Sequence, residues 1–200
     1  MNYLLVYFGD IPEYMKYTIN SILSVDKDAK VYFCSDNLIT YNNVEYVNSA
    51  EISSDLTKSV EKLNIYKHTN YESNPLWSTS FLRLFYLYDI AKSLSLKSFV
   101  HFDADVLIYK PFTEINNLFD EKRFNITPLN EEELIFGYSY TSKIHIYKKI
   151  VESIYEFVKN EEFYGEGLNE MKLLNTIFNK EKDLFTLLPI IPENNNIIFD

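Results

Sequence analysis

Two hundred residues with 46% hydrophobic content suffice for one folded domain with a sizeable core, and they exclude a disordered chain. The formal net charge of -10, with 29 acids against 19 basic side chains, excludes a nucleic-acid surface and an anionic membrane face as partners. Cys34 is the single cysteine, which excludes an internal disulfide and a cysteine-built zinc site.

The chain opens on Met1 to Asp10 without a basic leader, and no stretch approaches the roughly 20 apolar residues of a membrane span. A cytoplasmic protein is therefore expected. Tyr3 to Phe8 is a continuous apolar and aromatic run that breaks at Gly9-Asp10, the pattern of a buried strand. Pro12 opens a helix with Met15, Ile19, Ile22 and Leu23 at helical spacing. Val31 to Cys34 and Val44 to Val47 read as two further strands. Strand, helix, strand with short connections begins a parallel α/β sheet with right-handed crossovers.

Ile52 to Tyr66 is weakly helical, and Thr69 to Pro75 is polar and turn-like. Leu76 to Leu96 is a strong helix whose Trp77, Phe81, Leu84, Phe85, Tyr88 and Ala91 share one face, with Arg83 off that stripe. It feeds directly into the strand carrying Asp103 and Asp105. Beyond Pro111, strands are expected at Phe124 to Thr127 and Leu134 to Tyr140. An amphipathic helix carries Tyr147, Ile150, Val151, Ile154 and Val158. Gly165-Glu166-Gly167 reads as a flexible loop, and Met171, Leu174 and Phe178 mark a last helix. Leu187 to Pro189 and Ile197 to Phe199 read as closing strands. No repeat or linker splits the chain, so residues 1–200 are read as one domain.

The chemistry concentrates where an apolar strand drives into two carboxylates, Phe102-Asp103-Ala104-Asp105-Val106. Burying both acids in a strand would cost several kcal/mol without compensation. They belong instead at the C-terminal edge of a buried strand, where open α/β sheets place ligands. Oxygen-only ligands of this kind suit a hard cation, Mg2+ or Mn2+, that grips a diphosphate. The same triplet after a strand is also the nucleophile and acid pair of a haloacid dehalogenase-type phosphatase, with Asp103 attacking phosphorus. That class needs a later acidic pair for Mg2+, and none follows Asp105. His101 reads as a core histidine, and His68 and His145 as structural or exposed.

Trp77…Arg83-Leu84 followed by Phe102 to Leu107 resembles the DxD-containing glycosyltransferases of the GT-A fold, in their glycogenin-like and bacterial and viral sugar-transferase branches. Phe8 to Tyr14 and Glu170 to Asn175 resemble the family more loosely. The resemblance implies a single-domain, Rossmann-like α/β/α sandwich with a mostly parallel central sheet. It implies a metal-dependent transferase moving a sugar from a nucleotide-sugar donor, a UDP-sugar, to a glycan, protein or other hydroxyl acceptor, with retention of configuration. By position, Asp105 would bind Mn2+ or Mg2+, and Asp103 the metal or the donor ribose. Tyr7, Phe8 and Gly9 would hold the base with Asp36, beside Ala104 in the donor site. Arg83 would reach the donor phosphates or sugar, and Glu170 would lie near the transferred sugar. The family's late His-x-x-Gly-x-x-Lys element is absent, leaving Asp200 as the expected third oxygen ligand. Its Asn-x-Gly strand is also missing, with Phe136 to Ser139 in its place. A non-catalytic nucleotide-sugar binder on the same fold is the remaining alternative.

Overall fold

The computed structural model describes residues 1–38, 40–63, 75–160 and 169–190. The expected turn at 69–75 (apart from Pro75), the loop at 165–167, the strand at 197–199, His68 and Asp200 all lie outside those residues. Among the described residues seven strands form one sheet: β1 (Asn2–Val6), β2 (Lys30–Ser35), β3 (Val44–Asn48), β4 (Phe99–His101), β5 (Phe124–Pro128), β6 (Leu134–Thr141) and β7 (Phe185–Leu187). Their spatial order is β3-β2-β1-β4-β6-β5-β7. Every neighbouring pair is parallel except those made by β6, which runs antiparallel to both β4 and β5. The mostly parallel sheet is as expected.

The helices among the described residues are α1 (Met15–Val25), α2 (Ser49–Ile52), α3 (Asp55–Glu61), α4 (Pro75–Ser93), α5 (Phe112–Ile115), α6 (Ile144–Lys159) and α7 (Glu170–Lys180). Of the weakly helical segment from Ile52, the described part forms the short helix α3, separated from α2 because Ser54 caps α3 by accepting from the Thr57 N–H. Asp89 of α4 completes that cap, accepting from the Ser54 N–H at 3.0 Å and the Thr57 hydroxyl at 2.5 Å. The last described strand begins at Phe185, two residues earlier than the apolar run suggested.

Alternation along β1 explains the sandwich. Tyr3 and Leu5 point to one face, where Met15, Ile19 and Ile22 of α1 cover them. Leu4 and Val6 point to the other, under α4, α6 and α7. One feature of α4 differs from the sequence expectation. Its residues from Leu84 to Ala91 are buried on every side, not along a single stripe. The helix lies between the sheet on one side and α3, α6 and α7 on others, so all of its faces meet protein.

The chain lays β1, β2 and β3 side by side in one direction, then returns to place β4 on the opposite side of β1. The point between β1 and β4 is thus the switch point at which such sheets open a crevice beyond their strand ends. The registers Tyr3↔Val100 and Leu4↔His101 bring both strands out at the same edge. Among the described residues, no helix is long and apolar enough to cross a membrane.

Candidate functional site

β4 ends at His101, and the acids follow it. Asp103 and Asp105 fall in a turn closed by the Val106 N–H donating to the Asp103 carbonyl at 3.1 Å, so neither carboxylate lies within the strand. The Asp103 N–H donates to the Phe136 carbonyl at 2.8 Å, which ties the turn to β6. From the other side α1 holds it twice. The Thr18 hydroxyl donates to the Ala104 carbonyl at 2.5 Å, and the Ser21 hydroxyl accepts from the Ile108 N–H at 3.2 Å. Thr18 and Ser21 are one helical turn apart, so one face of α1 grips both ends of the loop.

Arg83 projects from α4 onto this turn. It pairs with Asp103, which accepts from its Nη1, while Nη2 lies 4.0 Å from Glu170 Oε1 at the start of α7. Its ζ carbon lies 5.1 Å from the centre of the Phe136 ring, a cation–π contact. The side chains of Arg83 and Glu170 are 13% and 14% exposed, against 35% for Asp103. Burial raises the Glu170 carboxyl above the ordinary carboxylate range, and the Arg83 charge opposes that rise. Asp105 is exposed.

A cleft of about 420 Å³ opens beyond β1 and β4, lined by Tyr7 and Phe8, Tyr14, Thr79, Ser80 and Arg83, and the Asp103-Ala104-Asp105 turn, with Val6 at its base. The structure thus brings together Tyr7, Phe8, Arg83, Asp103, Ala104 and Asp105, all expected from the sequence, with Glu170 beside them through Arg83. Gly9 and Asp36 do not line that cleft. Asp36 Oδ1 accepts from the Gly9 N–H at 2.9 Å, and the Asn37 side chain donates to the Gly9 carbonyl at 2.9 Å. The two residues therefore stitch the ends of β1 and β2 together. Gly9 has φ +81°, a left-handed conformation that glycine adopts without strain.

His101 is a core histidine, as expected. Its Nδ1 meets the Leu4 carbonyl at 2.7 Å, and burial, aided by the Arg83 charge, pushes its pKa down to about 3. No group of three or more His, Cys, Asp or Glu side chains able to hold a metal ion occurs among the described residues. Two acids are what the described chain offers, and magnesium-type ions commonly take one or two carboxylates plus substrate phosphates and water. The donor set therefore fits a metal completed by a ligand.

Sequence reasoning missed Tyr14, Thr79, Ser80, Thr18 and Phe136. Thr79 and Ser80 had a readable signal, since they precede Arg83 by four and three residues and so share its helix face. Tyr14 lies just before α1; its phenol is raised by burial, by Tyr7 and by the charges of Asp105 and Asp103. Nothing local marks the contacts of Thr18 and Phe136, which are made to Ala104, 86 residues away, and to Arg83 of α4.

No family model matches the chain, and no curated protein sequence matches it. Solved structures do. The chain superposes on the apo form of mouse xyloside xylosyltransferase 1 with a TM-score of 0.62 at 13% identity, over 94% of this chain and 86% of that one. It matches the PaToxG glycosyltransferase with a TM-score of 0.57 at 15% identity, over 90% of this chain and 69% of that one. The glycosyltransferase GlyE of Streptococcus pneumoniae TIGR4 gives 0.55 at 12% identity, over 94% and 45%. The likeness at such identities is one of architecture. The chain has the GT-A glycosyltransferase fold.

Proposed function

We propose that the chain is a glycosyltransferase that moves a sugar from a UDP-sugar donor to a hydroxyl of a glycan, protein or other acceptor. The observation that carries this is the convergence of Asp103, Asp105 and Arg83 on one cleft at the switch point of a glycosyltransferase-type sheet. Asp103 and Asp105 would hold Mn2+ or Mg2+ together with the donor diphosphate. A metal bound there supplies Lewis-acid stabilisation of the charge that grows on the leaving diphosphate. Arg83 adds a fixed, always-charged guanidinium to the same wall, able to bond phosphate oxygens in a fork. Tyr7 and Phe8 offer flat walls for the base, on a chain turn shaped by Gly9 and Asp36. Glu170 stands beside Arg83 toward the transferred sugar. Asp200, the expected third oxygen ligand, lies outside the described residues. Retention of configuration is inferred from the branches the sequence resembles.

The phosphatase alternative gains no supporting observation, since no further acid joins Asp103 and Asp105 as a metal-holding group among the described residues. Calorimetric titration with UDP tests the proposal. Binding in Mn2+ that disappears in EDTA is the expected result, and equal affinity in both would sink the metal's part. Release of sugar from a UDP-sugar, followed by NMR of the anomeric proton, separates an enzyme from a non-catalytic binder and reports retention or inversion.

A further inference from the structure

The Arg83 guanidinium is held at its outer edge by Asp103 and Glu170. Its inner edge is different. The Nε atom is buried and has no hydrogen-bond partner among the described residues. The imidazole Nε2 of His101 is likewise buried and has no hydrogen-bond partner among the described residues.

The two orphans are chemically complementary. A ring nitrogen that meets a carbonyl must carry the hydrogen, so the 2.7 Å contact with the Leu4 carbonyl makes Nδ1 the donor. In the neutral ring Nε2 is then a lone-pair acceptor. Arg83 Nε–H can only donate. The two side chains also converge on one ring. His101 packs edge-on to Phe136 with centroids 4.9 Å apart at 72°, and the Arg83 ζ carbon lies 5.1 Å from the centre of the same ring. Strand alternation puts His101 on the side of β4 that α4 covers, because Phe99 packs there and Val100 packs on the opposite face, and Asp103 follows it by two residues. The imidazole therefore sits two residues beneath the acid that Arg83 grips.

We propose that His101 is a positioning residue for Arg83, with Arg83 Nε–H donating through one buried water to His101 Nε2. A water in that place has a donor and an acceptor ready, and buried polar atoms of native proteins are rarely left unpaired. The chain of bonds then runs from the Leu4 carbonyl of β1 through the β4 histidine to the α4 arginine, which locks the guanidinium to the sheet. Its consequence for the site rests on the donor reading given above. When a metal and a diphosphate claim the Asp103 carboxylate, Arg83 loses one of its two outer partners, and this inner contact together with Glu170 keeps it in the cleft.

The test begins on ligand-free, isotope-labelled protein. Long-range 1H–15N spectra of the wild type should show His101 as the Nδ1–H tautomer with Nε2 accepting a hydrogen bond. The Arg83 Nε–H signal, identified by its loss in Arg83→Lys, should be protected from solvent exchange. His101→Leu should speed that exchange by about ten-fold or more, while His101→Gln, which can still donate to Leu4 and accept from the water, should restore protection. UDP affinity in Mn2+ should fall about ten-fold in His101→Leu and recover in His101→Gln. An Nε2–H tautomer in the wild type overturns the proposal, whether or not any variant folds. So does Arg83 Nε–H protection that His101→Leu leaves unchanged. Absence of UDP binding in the wild type would instead defeat the donor reading and leave the tether standing.

Discussion

Asp103 and Asp105 lie one residue apart, yet replacing each by asparagine should have different consequences. Asp103 forms an ion pair with Arg83, whose side chain is 13% exposed, whereas Asp105 is exposed and forms no ion pair among the described residues. Removing one partner of a buried pair costs about 3–5 kcal/mol, and an exposed pair contributes about 0.2–1 kcal/mol. With Asp103 itself 35% exposed, solvent screening places this pair between those limits, and about 2 kcal/mol is expected for Asp103→Asn. For a 200-residue chain that corresponds to a fall in Tm of roughly 4–8 °C. Asp105→Asn should shift Tm by less than about 2 °C, the range of an ordinary surface change. The assay is thermal melting in EDTA, then with UDP and Mn2+ together. At a hundred-fold excess over Kd, mass action adds about 2.7 kcal/mol to the wild type, roughly 5–11 °C. Asp105→Asn should melt like the wild type in EDTA and gain nothing from Mn2+. Two variants that melt alike in EDTA would refute the asymmetry derived from Arg83. A full Mn2+-dependent gain in Asp105→Asn would refute the metal assignment.

Glu170→Gln tests the buried acid. Its carboxyl is raised from 4.5 by burial, so the folded state holds its proton more tightly than the unfolded state, and stability from this group is lost as pH rises through the raised pKa. The glutamine variant should therefore gain on the wild type as melts are taken from pH 4.5 toward neutrality, and a constant difference would count against it. Thr18→Val removes the bond to the Ala104 carbonyl; about 1 kcal/mol of lost positioning should weaken Mn2+-dependent UDP binding roughly five-fold by calorimetry. Unchanged affinity would mean that the turn holds its shape without α1. The Cys34 thiol is pushed up to about 12 by burial, with Asp89 adding to the shift. Mass spectrometry should find no iodoacetamide adduct on native protein at pH 8 and complete labelling after unfolding; rapid labelling of folded protein would contradict the burial.

The strand-forming segments announced themselves because each is an apolar run that ends at turn residues. Tyr3 to Phe8, Val31 to Cys34 and Val44 to Val47 lie within a residue or two of β1, β2 and β3. The helices α6 and α7 were equally plain from their spacing. Where the pattern misled, a neighbour had changed the rules. α4 showed an apolar stripe with polar gaps, but helices on several sides bury those gaps as well. At the ends of β1 and β2 the sequence likewise did not show that the Asp36 Oδ1 accepts from the Gly9 N–H.

The sequence by itself determined the position of the acids. A strand rich in apolar residues cannot bury two carboxylates, so Asp103 and Asp105 had to follow β4 and not lie within it. It also determined that an arginine-bearing helix precedes them. Only the tertiary structure decided which acid that arginine meets, because Arg83 and Asp103 lie 20 residues apart and their pairing depends on how α4 crosses the sheet. The Phe136 ring against Arg83 and the Thr18 grip on Ala104 are likewise products of packing. Local sequence sets the period and the turns, while the distances between elements arise when the two faces of the sheet are covered.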